Sequence, residues 1–170
     1  MRRFWIIVLI WTLLLAGCGY HFQGAATNLP PDVRTVAIPI FGNRTLQTGI
    51  EAEFTRALVA RFTSAKRLAI AEKNSADALL TGTVKSFDNY PVAVSSGIQA
   101  ATQYRATMVV EMTFLRPQDG KVFWKGEMSD WRIYSVDASL AATENNKQEA
   151  IRQISTLLAE KVYVLIMENF

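Results

Sequence analysis

Few side chains in this sequence have the types and spacings that bond-making chemistry requires. His21 is the sole histidine, and no Cys, Asp or Ser stands beside it to complete a catalytic set, so it reads as interfacial or structural. Serines are plentiful, yet no Gly-x-Ser-x-Gly elbow sets one on a sharp strand-to-helix turn. Glu51 and Glu53 are two apart on a helical stretch and point to different faces, which makes a poor acid–base pair. One histidine and one cysteine cannot build a metal cluster of the usual nitrogen and sulfur kind. The expectation is a chain that is not an enzyme and holds neither metal nor diffusible cofactor. What remains is recognition chemistry. Lys121, Lys125 and Arg132 lie in one stretch with Trp124 and Trp131, cations beside large apolar rings. Strand alternation puts Lys125 and Trp131 on one face and Trp124 and Arg132 on the other.

The remaining reactive group is Cys18, and its setting is specific. Met1-Arg2-Arg3 is a short positive start, followed by an apolar run from Phe4 to Gly17 interrupted only by Thr12. At about thirteen apolar residues this run is shorter than the roughly twenty a membrane-crossing helix needs. Its length and flanks are those of a secretory signal peptide. The closing Leu15-Ala16-Gly17-Cys18 resembles the lipobox of bacterial lipoproteins, which implies that residues 1–17 are removed and Cys18 carries a diacylglyceryl group and an N-acyl chain. Several chains hold a protein on a membrane where one binds only marginally. Gly19 stands where an aspartate often marks retention at the inner membrane. The expected address is therefore the periplasmic face of the outer membrane.

Composition then bounds the mature part. Of 18 basic and 15 acidic side chains, Arg2 and Arg3 leave with the leader, so the remainder is close to neutral. That balance gives no warrant for binding nucleic acid. With Cys18 used for acylation, no disulfide forms within the chain. About 150 residues suffice for one domain with its own core. Residues 18–32 read as a lipidated tether, punctuated by Gly24, Asn28, Pro30 and Pro31, and residues 33–170 as a single periplasmic domain.

The elements that must position any recognition surface are legible from period. Val33 to Phe41 is a β-branched strand, with Pro39 demanding an edge or an end. Gly42 to Thr45 turns the chain, and Thr45 or Thr48 caps a helix to about Ser64. Ile50, Phe54, Ala57, Leu58 and Phe62 form its stripe. Short and long strands follow at Leu68–Ala71 and Ala78–Tyr90, then a loop at Pro91–Gly97. The longest strands run from Gln99 to Arg116 and from Lys121 to Val136, joined by the hairpin chemistry of Pro117-Gln118-Asp119-Gly120. A last helix follows Ala138-Ser139, capped by Thr143 or Asn145, and runs to about Glu168 with Ile151, Ile154, Leu158, Val162 and Leu165 inward. The order β-α-β-β-β-β-α predicts an α+β two-layer sandwich, two helices on one face of a mixed, mostly antiparallel sheet of four to five strands. Those strands outrun the helices, and the uncovered face retains apolar residues. Such a surface calls for a protein wall or a lipid.

The residues that follow Cys18 carry a resemblance. Cys18-Gly19-Tyr20-His21-Phe22, the run Val36-Ala37-Ile38-Pro39-Ile40-Phe41-Gly42-Asn43-Arg44-Thr45 leading to Leu58, Gln103-Tyr104-Arg105 and Leu140-Ala141-Ala142 resemble, in order and spacing, the LPS-assembly lipoprotein family (LptE). The resemblance implies a lipoprotein plug seated in a large outer-membrane β-barrel, LptD, the pair placing lipopolysaccharide in the outer leaflet by binding and gating. Lipopolysaccharide bears phosphates and acyl chains, and Lys121, Lys125 and Arg132 are the candidate contacts. Family members are thought to use basic residues in two loops that here, at Pro91–Gly97 and Ala138–Asn146, contain only Lys-free and Arg-free stretches. The same strand and helix also resemble periplasmic lipoproteins of the CsgG/LpoB-like kind, which act as secretion-pore subunits or synthase activators.

Overall fold

The computed structural model describes residues 29–95 and 100–168. The expected leader, Cys18, His21 and most of the expected tether lie outside them. In chain order the elements are β1 (Thr35–Ala37), β2 (Gly42–Asn43), α1 (Ile50–Ala65), β3 (Ala69–Ile70), β4 (Ala78–Val94), β5 (Ala101–Leu115), β6 (Val122–Ser135) and α2 (Leu140–Glu168). They build one mixed sheet in the order β3-β1-β4-β5-β6, with β2 added beside β4. Two helices pack on one face, as the sequence predicts. The sheet has six strands, more than the four or five expected.

The additional strand comes from a break in the first one. Val33 to Phe41 is not one continuous strand: β1 ends at Ala37, and the chain resumes pairing only at Gly42. Pro39 has no N–H to give to a ladder, which accounts for an interruption at that place. Both pieces run parallel to β4, Val36 beside Ala78 and Gly42 beside Thr83. Phe41 is buried between them, edge-on to Phe54. Its ring fills the space above Gly82, where an added Cβ would stand 2.8 Å from the ring and 2.1 Å from the Glu111 carbonyl. Any side chain at residue 82 would collide with that neighbouring strand. Thr55 completes the joint by accepting the Phe41 N–H and donating to the Glu51 carbonyl.

Helix α1 begins without a side-chain cap. Gly49, at φ 83°, stands at the N-cap, a left-handed position that glycine takes at little cost. Thr45, one of the two expected capping threonines, is engaged otherwise. Thr45 donates to Asn43 Oδ1, and the Asn43 amide donates to the Gln47 carbonyl and to Glu51 Oε2. Residues 43–51 are thereby stitched to one another. Helix α2 follows Ser139 directly, as expected, and the expected caps Thr143 and Asn145 fall inside it. Ser139 holds its first turn, accepting from the Ala142 N–H, while Thr143 reaches back to accept the Asp137 N–H. At 29 residues it is about 43 Å long.

The core lies between helices and sheet. Ile50, Phe54, Leu58 and Phe62 of α1 and Ile151, Ile154, Leu158 and Val162 of α2 are buried, as their spacing predicts. Two inward positions differ: Ala57 is half-buried, and Ile166 rather than Leu165 completes the stripe of α2. Against them stands every second residue of β5, Ala106, Met108, Val110, Met112 and Phe114, all fully buried. The helices are clamped together by Arg61, which pairs with Glu160 and lies 3.8 Å over the Tyr163 ring.

One end of this body is where the polypeptide enters. Leu29, Pro30, Pro31 and Val33 line a cavity with Arg67, Leu68 and Met167, and Asp32 pairs with Arg116 at 2.9 Å. At this end Asp77 fastens β1 to β4. Its Oδ2 accepts from the Arg34 and Thr35 amides and from the Thr35 hydroxyl. These donors, the Thr35 hydroxyl foremost, hold its carboxyl below the ordinary value.

Candidate functional site

No described helix lies on the sheet's second face, so its composition decides what can bind there. Cross-strand register gives its rows. Nearest the chain entry, Leu79 stands opposite Leu115; then come Thr81, Thr113 and Lys125, followed by Thr83, Glu111 and Glu127. This middle belt is polar and its charges are matched. Lys85 pairs with Glu127, which raises the lysine's pKa, and Lys125 lies 3.9 Å from Glu111. The extensive apolar face expected from the sequence is therefore confined: threonines and ion pairs occupy the centre.

Beyond a β-bulge between Val84 and Ser86 the character changes. Tyr90, Arg105 and Ile133 form one row, and Asp88, Thr107 and Trp131 the row before it. Tyr90 is 60% exposed, Trp131 46% and Ile133 45%, high values for large apolar side chains. The Arg105 guanidinium lies over the Trp131 ring at 4.6 Å, a cation–π contact that fixes one charge above an aromatic surface. Strand β4 continues to Val94, through residues expected to be loop, and adds Val92 and Val94 to the exposed apolar set. Here the long hairpin of β4 and β5 outruns the helices. Asn89 and Pro91, on the helix side, are exposed as well.

The three basic residues predicted as contacts are not brought together. Lys125 alone shares the helix-free face, about 20 Å along the strand from Trp131, inside the matched belt. Arg132 points to the helix side, 3.7 Å from Asp130, and lines a groove with Glu149, Arg152 and Gln153. Lys121 sits in the hairpin turn by the chain entry, 6.0 Å from the Phe123 ring centre. The cation that does meet an exposed ring is Arg105. Alternation along β5 could have put it on this face, but its meeting with Trp131 depends on hairpin register.

On the helix side of the same end, Tyr104 and Tyr134 stack at 5.9 Å. Burial raises the Tyr134 phenol above its usual value. Glu144 is lowered by hydrogen bonds from Lys147 and Gln148. Tyr134 also lines a shallow cavity with Ile133, Asn146, Glu149 and Gln153. No group of three His, Cys, Asp or Glu side chains that could hold a metal occurs among the described residues, and no described helix is long and apolar enough to cross a membrane.

Comparison with solved structures gives the fold an independent reading. A protein from Xanthomonas campestris is similar at 14% identity with a TM-score of 0.56, covering 82% of this chain and 90% of that one. Lipoprotein B from Nitrosomonas europaea is similar at 10% identity and TM-score 0.53, covering 82% of this chain and 88% of the other. The rare lipoprotein B of Shewanella oneidensis matches at 14% identity and TM-score 0.52, covering 72% and 89%. No curated protein matches the sequence. A family model, LptE, described as lipopolysaccharide-assembly, matches residues 33–164. That match takes in every strand and all but the last turn of α2, so the chain belongs to the LptE lipopolysaccharide-assembly family.

Proposed function

We propose that this chain is a non-catalytic outer-membrane lipoprotein, anchored through an acylated Cys18, that plugs and supports the LptD β-barrel and helps it deliver lipopolysaccharide to the outer membrane. The family match over residues 33–164 carries this reading. The structure adds a surface suited to the task. A sheet with one helix-free face can lie against a barrel wall, and its polar, charge-matched middle suits the water-lined interior such barrels have. The exposed cluster of Tyr90, Arg105, Trp131 and Ile133 offers what an anionic amphiphile needs, a cation held over apolar rings. Lys125 extends that face. Lys121 and Arg132 point elsewhere and contribute, if they contact lipopolysaccharide, at separate places.

Purification of the lipidated protein from membranes tests the first part. A stoichiometric β-barrel should remain bound in detergent; recovery of a homo-oligomeric ring or a peptidoglycan synthase in its place would favour the CsgG/LpoB-like reading. Cys18→Ala should release the domain from membranes once the barrel is absent, without unfolding it. Retention of that variant on barrel-free membranes would sink the anchor.

A further inference from the structure

Strand β6 is the outer edge of the sheet, and an unpaired edge is a template for another strand. Val136 donates to the Thr102 carbonyl, which sets the parity of the ladder. Even-numbered residues of β6 bond inward to β5, and odd-numbered ones from Lys125 onward turn their N–H and C=O outward. Over the far half three of those outward groups are stopped by side chains. The Trp131 N–H donates to Asp130 Oδ1, Arg132 Nη1 donates to the Trp131 carbonyl, and Asn146 Nδ2 donates to the Ser135 carbonyl. Towards the chain entry, a bulge between Phe114 and Leu115 breaks the regular register at Phe123. Between the bulge and the capped half lie Lys125, Glu127 and Ser129, whose outward amides and carbonyls meet no partner among the described residues.

We propose that this open stretch pairs antiparallel with its equivalent in a second copy of the chain, Lys125 opposite Glu127 of the second copy, about a two-fold axis at Gly126. Three observations converge on that occupant. The parity fits, because Lys125 and Glu127 both present outward groups, and their two pairings supply about four ladder hydrogen bonds. The charges fit: this register puts opposite charges across the seam twice, whereas a register centred on Glu127 sets two carboxylates face to face. The side chains fit too. On the helix side Trp124 and Met128 of the two copies come opposite one another, both half-buried in the single chain. Gly126 at the axis leaves room for the Trp124 indole, which already occupies the space where a Cβ would be, 2.7 Å away. The match is short, so the pair forms where copies are concentrated, as on a membrane surface.

The test is sedimentation of the full lipidated chain in detergent, on the chain by itself, so that its outcome is separate from barrel binding. Wild type should move towards two chains per particle as concentration rises. Lys125→Glu alone and Glu127→Lys alone should each weaken that association about tenfold, and the two together should restore it. Because both residues also have partners within the chain, Glu127→Pro serves as a second variant. It removes an outward N–H that the internal ladder does not use, and should abolish pairing without lowering the melting temperature. A monomer at every concentration, a double swap that fails to restore association, or an edge filled by a strand of another protein would each overturn the proposal.

Discussion

The two faces of one sheet have been put to opposite uses. On one, β4, β5 and β6 are covered by helices, and Leu80, Met112 and Phe114 are wholly buried. On the other, beyond the β-bulge, no described helix covers the strands, and Tyr90, Trp131 and Ile133 stand in the open. Residue type hardly distinguishes these two sets, since both are aromatic and aliphatic. Cover distinguishes them. A helix-packed ring stabilises the fold, whereas an uncovered ring on the same sheet contributes little until something else touches it. The first face is where stability should reside, and the second where binding should.

The largest effect that could break this division is in the core. Phe114→Ala should lower stability by about 3–5 kcal/mol in urea titration, while Tyr90→Ala should stay within about 0.5 kcal/mol. A comparable loss from both would refute the contrast. Next in size is a functional effect without a stability effect. Arg105→Ala and Trp131→Ala should each weaken retention of lipopolysaccharide on the purified protein several-fold while leaving the melting temperature within about 2 °C. Unchanged retention would remove the far end from glycolipid handling.

A third expectation concerns acid. Asp77 has a lowered folded pKa, so its contribution is present above the ordinary carboxylate value of 3.8 and is lost as pH falls through the folded value. Wild type should therefore be more stable than Asp77→Asn at neutral pH, and the two should converge in strong acid; parallel pH profiles would contradict the role given to that carboxylate. The smallest change is a gain. The Ser155 hydroxyl is buried without a partner, and Ser155→Ala should raise stability by about 1 kcal/mol, read from the urea midpoint.

Much of the fold was legible because its signals are periodic. Ile50, Phe54, Leu58 and Phe62 could face only one way on a helix, and Pro117-Gln118-Asp119-Gly120 could hardly be other than a hairpin turn. What the sequence concealed depends on contacts between distant residues. The start of α1 at Gly49 follows from Asn43 and Thr45 satisfying one another, a local competition that capping preferences do not reveal. Strand β4 reaches Val94 because β5 is beside it to pair with, although Pro91 and small residues suggested a loop. The candidate site was half legible. Trp131 and its alternation were readable, but its partner is Arg105, a separation of 26 residues along the chain having been closed by register rather than by any local motif. Lys121, Lys125 and Arg132 are near one another in sequence, and pleating with strand length sets them apart.

The placement of the chain entry has a geometric result. Leu29 and Val33 lie at one end of a hydrogen-bonded sheet and the exposed rings at the other, about 40 Å away along β4. That span is set by paired backbone and does not depend on the residues before Leu29. The domain is thus a ruler: wherever residue 29 is held, the aromatic cluster is carried a fixed distance beyond it.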